Sequence, residues 1–184
     1  MINIETEMIV DTNIRLEEID LKHIDDIFNT IDKQREYLSE WLPFVPTIAT
    51  RNDTEKFVNY QLCMKYIHLT YIVYFQNEFA GLIGLKDINS NDDKTEIGYW
   101  LSEHLQGRGI ITKSCRTLIK YAFEQLYMNR IQIRVAVGNE KSVRVARRLN
   151  FIEEGIERAG ERYGNIYFDL HVFSLLRNDI QPTD

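Results

Sequence analysis

The sequence predicts a mixed α/β domain spanning residues 1–184, built on one mostly antiparallel sheet of seven strands with helices on both faces. Three observations predict it. Short β-branched runs alternate along the chain with segments whose apolar residues recur at three- and four-residue spacing. Three of the strand runs follow one another with only turn residues between them, which makes an antiparallel meander. A strand, one long amphipathic helix and another strand come next, which makes a right-handed crossover between parallel neighbours.

Each element has its own signal. Thr12 to Ile19 alternates Ile14, Leu16 and Ile19 against Arg15, Glu17 and Glu18, as a half-buried strand does. Asp20 caps a helix through about Asp32, with Leu21, Ile24, Ile27, Phe28 and Ile31 on one side. Residues 34–46 form a short aromatic helix that stops at Pro43 and Pro46. Asp53 or Thr54 caps the next helix, which ends between Lys65 and His68 and buries Phe57, Val58 and Leu62. Leu69–Phe75, Phe79–Ile88 and Lys94–Leu101 are the meander strands, divided by a turn at Gln76-Asn77-Glu78 and a polar loop at residues 89–93. The long helix begins near Ile110 and carries Ile111, Cys115, Leu118, Ile119, Ala122 and Phe123 on one face. Arg130–Val137 is a further strand and Asn139–Leu149 a short helix. Phe151–Arg158 and Ile166–Leu176 close the chain as a hairpin around Tyr163-Gly164-Asn165.

Composition excludes several classes. At 44% hydrophobic and 27% charged, with three prolines, the chain is an ordered globule. A net charge of −6 argues against a general nucleic-acid coat. No run is long enough to span a membrane, and the N-terminal residues lack the basic and apolar regions of a signal peptide, so a cytoplasmic protein without membrane contact is expected. Cys63 and Cys115 have no paired spacing and read as small core residues of a reducing compartment. The four histidines are scattered without metal-ligand spacing, so no metal is expected. His104, just before a glycine turn, reads as a surface residue.

The charge is unevenly placed. Arg108 to Arg148 holds ten basic and two acidic residues, a surplus of eight, which leaves the remainder of the chain at −14. At the head of that basic stretch lies Gln106-Gly107-Arg108-Gly109, between a strand and a helix. Two glycines at a helix start leave several backbone N–H groups unobstructed, an anion site most often used for phosphate. A small polyanionic ligand is therefore expected. Asn139 and Ser142 stand at the next strand-to-helix junction, where Asn139 reads equally as an N-cap or as part of the site. The segment around Tyr37 and Trp41 reads as either a packed corner or one wall of a substrate groove.

These residues carry a resemblance. Gln106-Gly107-Arg108-Gly109-Ile110-Ile111 is similar to the acetyl-CoA pyrophosphate motif Q/R-x-x-G-x-G/A of the GNAT superfamily of N-acetyltransferases, with Ile111 departing from the usual Gly or Ala. Residues 38–44, Glu96–Leu101, Asn139–Ser142, Asn150-Phe151 and Asp169 resemble, in that order, the RimJ/RimL-type branch, which acetylates ribosomal-protein N-termini. The resemblance implies that the strand of Glu96–Leu101 splays from the strand of Arg130–Val137. Acetyl-CoA then enters the opening, paired with the backbone of Tyr99, Trp100 and Leu101. Its pyrophosphate sits on the N–H groups of Arg108, Gly109, Ile110, Ile111 and Thr112, with Gln106, Asn139 and Arg144 as further coenzyme contacts, and Tyr37 and Trp41 facing the acceptor.

The implied reaction is direct attack of a primary amine on the thioester. The resemblance gives Glu96 the role of base acting through water, and a normal glutamate, with a pKa of about 4.3, would need raising by burial among neighbours such as Tyr99 and Trp100. The tyrosine that many members use as acid falls at Ala146, so Ser142 is the expected partner of the departing thiolate, with Tyr163 and Tyr167 as outside candidates. An α-amine has a pKa near 7.7–8.0 against about 10.4 for lysine and needs less help to lose its proton. A protein N-terminus is accordingly the expected acceptor. The alternatives are a small amine such as a polyamine or antibiotic, or a CoA-binding regulatory protein without turnover. The apolar terminal hairpin and the Trp41 region are candidates for a homodimer contact.

Overall fold

A computed structural model describes residues 4–180; the first three and last four residues of the expected 1–184 domain lie outside the described residues. The strands are β1 (Glu7–Ile9), β2 (Ile14–Glu18), β3 (Leu69–Phe75), β4 (Glu78–Asn89), β5 (Lys94–Leu101), β6 (Arg130–Ala136), β7 (Ile152–Tyr163) and β8 (Ile166–Leu176). The helices are α1 (Ile24–Lys33), α2 (Arg35–Ser39), α3 (Arg51–Cys63), α4 (Ile110–Glu124) and α5 (Glu140–Arg148). One sheet runs in the order β1-β2-β3-β4-β5-β6-β8-β7. Every pair is antiparallel except β5 with β6, which is parallel. The sheet has eight strands, not seven: β1 is three residues long, too short for alternation to show, and is held by pairing with β2.

Period-two alternation sorts the core onto the two sheet faces. Tyr71, Val73, Ile83 and Leu85 pack with Cys115, Leu118 and Ala122 of α4, while Ile72 and Leu82 pack with Ile27, Ile31 and Val58 of α1 and α3 on the other side. Helix α3 starts earlier than Asp53 or Thr54. Thr50 is its N-cap, and Asp53 completes a capping box by accepting the Thr50 N–H at 2.9 Å. Cys115 is buried as expected, whereas Cys63, at the end of α3, is exposed.

The terminal hairpin is fastened to β6 by charge. Arg130 donates to Glu154 Oε1 at 2.7 Å and to Oε2 at 2.5 Å, and Ser174 Oγ donates to Oε1 at 2.8 Å. The hydrogen bond from Arg130 draws the Glu154 carboxyl down to about 2. A carboxyl depressed on folding contributes stability that is complete above its unfolded value and disappears as pH falls toward the folded one. The melting temperature should therefore drop between about pH 4.5 and pH 2, and Glu154→Gln should flatten that drop while lowering the midpoint at neutral pH. Thermal melts across that range check both.

Candidate active site

The site begins where the parallel pair ends. β5 and β6 are in register at Lys94 with Arg130, Thr95 with Ile131 and Glu96 with Gln132, and at no later position. Beyond Glu96, β5 continues to pair only with β4, and β6 only with β8. The facing edges of Ile97–Leu101 and Ile133–Ala136 thus have no strand partner, and the two strands part into a V. The opening belongs to a continuous cavity of about 1190 Å³ that runs from the glycine turn, past Glu96 and Ser142, to an aromatic wall of Trp41, Phe44 and Phe57.

At one end lies the N-terminus of α4. Gly107 and Gly109 both have φ +75, and a Cβ built on either meets nothing within 4 Å. Gly109 is the N-cap and offers no side chain to the helix, so its first N–H groups have no capping partner, unlike those of α3 and α5, where Thr50 and Asn139 supply one. Uncapped donors at the positive end of a 15-residue helix suit a diphosphate. Arg108, Lys113 and Arg116 flank the turn, and Arg144 and Arg148 of α5 face it across the cavity. Lys113 is tied to Asp11 at 2.7 Å. Ile111 is 8% exposed and packs with the main core.

At the vertex stands Glu96, 6% exposed. Its surroundings differ from the apolar ones expected from Tyr99 and Trp100. Lys86 reaches Oε1 at 2.7 Å and Arg134 donates to Oε2 at 2.6 Å, and Arg134 also donates to Glu157 at 3.3 Å. Trp100 turns its ring into the second core cluster against Phe79, at a centroid distance of 6.0 Å, and its carbonyl lies against Gly81 of β4.

On α5, Asn139 accepts the Ser142 N–H at 3.2 Å and so does serve as the cap. The Tyr99 hydroxyl donates to the Ser142 carbonyl at 3.5 Å and lies beside the Ser142 side chain. Burial pushes the Tyr99 phenol well up, which keeps it a donor at neutral pH. Ala146 is fully buried on the core face with Val143; the position one turn beyond Ser142 that lines the cavity is Val145. A tyrosine at 146 would have to occupy the core. Tyr163 is also committed elsewhere: its hydroxyl donates to the carbonyls of Ser39 and, at 3.2 Å, of Leu42. Tyr167 is 59% exposed, and His104 is exposed and paired with Glu78 at 3.0 Å.

Tyr37 and Trp41 lie on the opposite wall. A Cβ on Gly138, whose φ is +99, would come within 3.4 Å of the Trp41 ring, so the glycine lets this wall close on the end of β6. Tyr37 donates to the Leu101 carbonyl at 3.2 Å and accepts from Gln106 Nε2, and Gln106 Oε1 in turn accepts from Lys141 at 2.7 Å. The clamp on Glu96 and this bridge are absent from the sequence reading. Lys86 is the one member with a local signal, since the hairpin register sets it opposite Glu96. No group of three or more potential metal ligands occurs among the described residues, and no helix among them is long and apolar enough to cross a membrane.

The family model described as an acetyltransferase (GNAT) domain matches residues 13–152. The "Putative ribosomal N-acetyltransferase YdaF" of Bacillus subtilis (strain 168) is 33% identical over 173 residues, 92% of this chain and 94% of that protein. The ribosomal-protein-serine acetyltransferase of Escherichia coli (strain K12) is 28% identical over 167 residues, 90% of this chain and 93% of that one. Among solved structures, RimL, a ribosomal L7/L12 alpha-N-protein acetyltransferase in complex with coenzyme A, superposes with a TM-score of 0.89 at 26% identity, covering 95% of this chain and 99% of that one.

Proposed function

Because the chain belongs to the GNAT acetyltransferase family, we propose that it transfers the acetyl group of acetyl-CoA to the α-amine of a protein N-terminus, with a ribosomal protein as the acceptor class. The observation that carries the coenzyme half is the V that opens immediately after Glu96 with an uncapped helix N-terminus at its mouth. The N–H groups of residues 108–112 would hold the diphosphate. The unpaired edge of Tyr99, Trp100 and Leu101 would pair with the amide-bearing arm, and Arg144 would offset further phosphate charge.

Starting from the ammonium form, the reaction forms a C–N bond, breaks the C–S bond of the thioester and gives up two protons, one before attack and one as the amide forms, the second of which can end on the departing thiolate. Glu96 would take the ammonium proton through water, since both its oxygens already carry a cation and neither faces the acceptor unshared. The Ser142 hydroxyl and the protonated Tyr99 phenol would hydrogen-bond the departing sulfur. Lys86 and Arg134 clamp Glu96 at the vertex, with Glu157 sharing Arg134, and an α-amine, with a pKa near 7.7–8.0 against about 10.4 for a lysine-type amine, asks least of a base so held.

Thiol release from acetyl-CoA, measured with N-terminal peptides and with polyamines, tests the reading. Turnover on peptides, at least tenfold faster than on spermidine, is expected. Faster turnover on polyamines would move the acceptor to small amines, and tight CoA binding with no turnover on any amine would make the protein a non-catalytic binder.

A further inference from the structure

We propose that Gln106 is a positioning residue that couples the coenzyme end of the cleft to the acceptor wall, rather than a ligand of the coenzyme alone. This rests on the functional reading above. The side chain sits at a three-way junction. Its Oε1 accepts from the ammonium of Lys141 at 2.7 Å, and its Nε2 donates to the Tyr37 hydroxyl. Tyr37 belongs to α2, Lys141 to α5, and Gln106 to the turn that feeds α4. One amide therefore joins the lip that follows β5, the lip that follows β6, and the wall expected to face the acceptor.

The Lys141–Gln106 bond runs from one lip of the V to the other, so a molecule entering between them meets it. It joins a cation to a neutral amide, whereas a diphosphate at the neighbouring turn offers the same ammonium an anionic acceptor, which adds the attraction of opposite charges to the hydrogen bond. Occupancy of the turn thus competes for Lys141 and releases one side of the Gln106 amide. The other side is not loose. α2 is pinned to the same turn twice more: Tyr37 donates to the Leu101 carbonyl at 3.2 Å, and Gln34 Oε1 accepts the Glu103 N–H at 2.9 Å while its Nε2 donates to Ser102 Oγ at 3.3 Å. A small shift of Gln106 is therefore delivered to α2 and on to Trp41, whose ring abuts Gly138 at the far end of β6. An amide is suited to this place because it presents one acceptor and two donors; a carboxylate would pair with Lys141 but could not donate to Tyr37.

Hydrogen exchange of residues 35–44 with and without saturating CoA, alongside calorimetric CoA affinity, tests the coupling without requiring that the acceptor be known. In the wild type, CoA should change the exchange rate of this segment about tenfold. In Gln106→Ala, and in Lys141→Met, which leaves the turn intact should the first variant fold poorly, CoA should bind about tenfold more weakly, a loss that saturating CoA overcomes, while the exchange response falls below twofold. With an accepted amine, Gln106→Ala and Tyr37→Phe should each raise the acceptor KM about tenfold, and the double variant no further. A wall that responds to CoA equally in all variants, additive KM effects, or a loss of CoA affinity beyond thirtyfold in both variants with unchanged acceptor KM would overturn the coupling. Failure of the wild type to bind CoA would overturn the functional reading along with it, whereas CoA binding with an unresponsive wall would remove the coupling alone.

Discussion

Gly109→Glu is expected to weaken acetyl-CoA binding at least a hundredfold in a protein that still folds. Gly109 combines φ +75 and ψ 5 with the N-cap position of α4, and a Cβ there meets nothing within 4 Å, so no neighbour blocks the side chain. Two costs remain. A non-glycine residue in the left-handed region costs about 1–2 kcal/mol, a stability effect borne with or without ligand. A carboxylate at the mouth of the helix then occupies the place where uncapped N–H groups await anionic oxygens, and it repels the diphosphate through little intervening water. Only the second cost weakens binding, and a hundredfold corresponds to about 2.7 kcal/mol. Gly109→Asn separates the two, since asparagine tolerates the left-handed region and carries no charge; its loss should be tenfold or less. Calorimetry with CoA reads the affinities and thermal melting reads the strain. Affinity of the glutamate variant within threefold of wild type would mean that the turn is structural.

How legible this site was depended on how local each part is. The β5 bounds and the start of α4 at Ile110 coincide with the expectation because the strand run, the glycines and the helical spacing all lie within one stretch of chain. β1 has no such signal, being three residues long. The start of α3 was visible in principle, as Thr50 and Asp53 stand at capping-box spacing, but Asp53 alone also makes a good cap, and only backbone geometry separates the two. The nonlocal parts were not legible. A hairpin register sets Lys86 opposite Glu96, but nothing in a sequence gives the register of a parallel pair or the point at which it opens, so Arg134 could not be assigned to Glu96. The same holds for Gln106, whose partners lie on α2 and α5, and for Trp41 and Gly138, whose contact exists only because the wall folds back over β6. Ser142 and Asn139 could be placed at their junction, but the sequence does not show that Ala146 faces the core while Val145 faces the cleft.

Glu96→Gln is expected to lower kcat by about a hundredfold or more, within the range general-base groups commonly contribute, and to leave CoA affinity within twofold. The clamp makes this substitution more than a test of chemistry. The new amide keeps one oxygen for one of the two cations and turns an N–H₂ donor toward the other. Breaking a fully buried ion pair costs about 3–5 kcal/mol, but Lys86 and Arg134 are 43% and 31% exposed and can be rehydrated, so the loss should be nearer 1 kcal/mol. A fall in melting temperature is therefore expected in either case and decides nothing. The pH dependence does decide. If Glu96 relieves the acceptor ammonium of its proton, its value is greatest where the amine is protonated and shrinks as pH passes the amine's own pKa, near 7.7–8.0. The deficit of the variant should then narrow several-fold between pH 7 and pH 9. If Glu96 serves only to hold Lys86 and Arg134 at the vertex, the deficit should be constant over that interval, because the geometry lost does not titrate with the amine. Glu96→Asp gives the complementary contrast: it retains the charge for the clamp and withdraws the carboxylate by one methylene, so melting should recover toward wild type while kcat remains depressed.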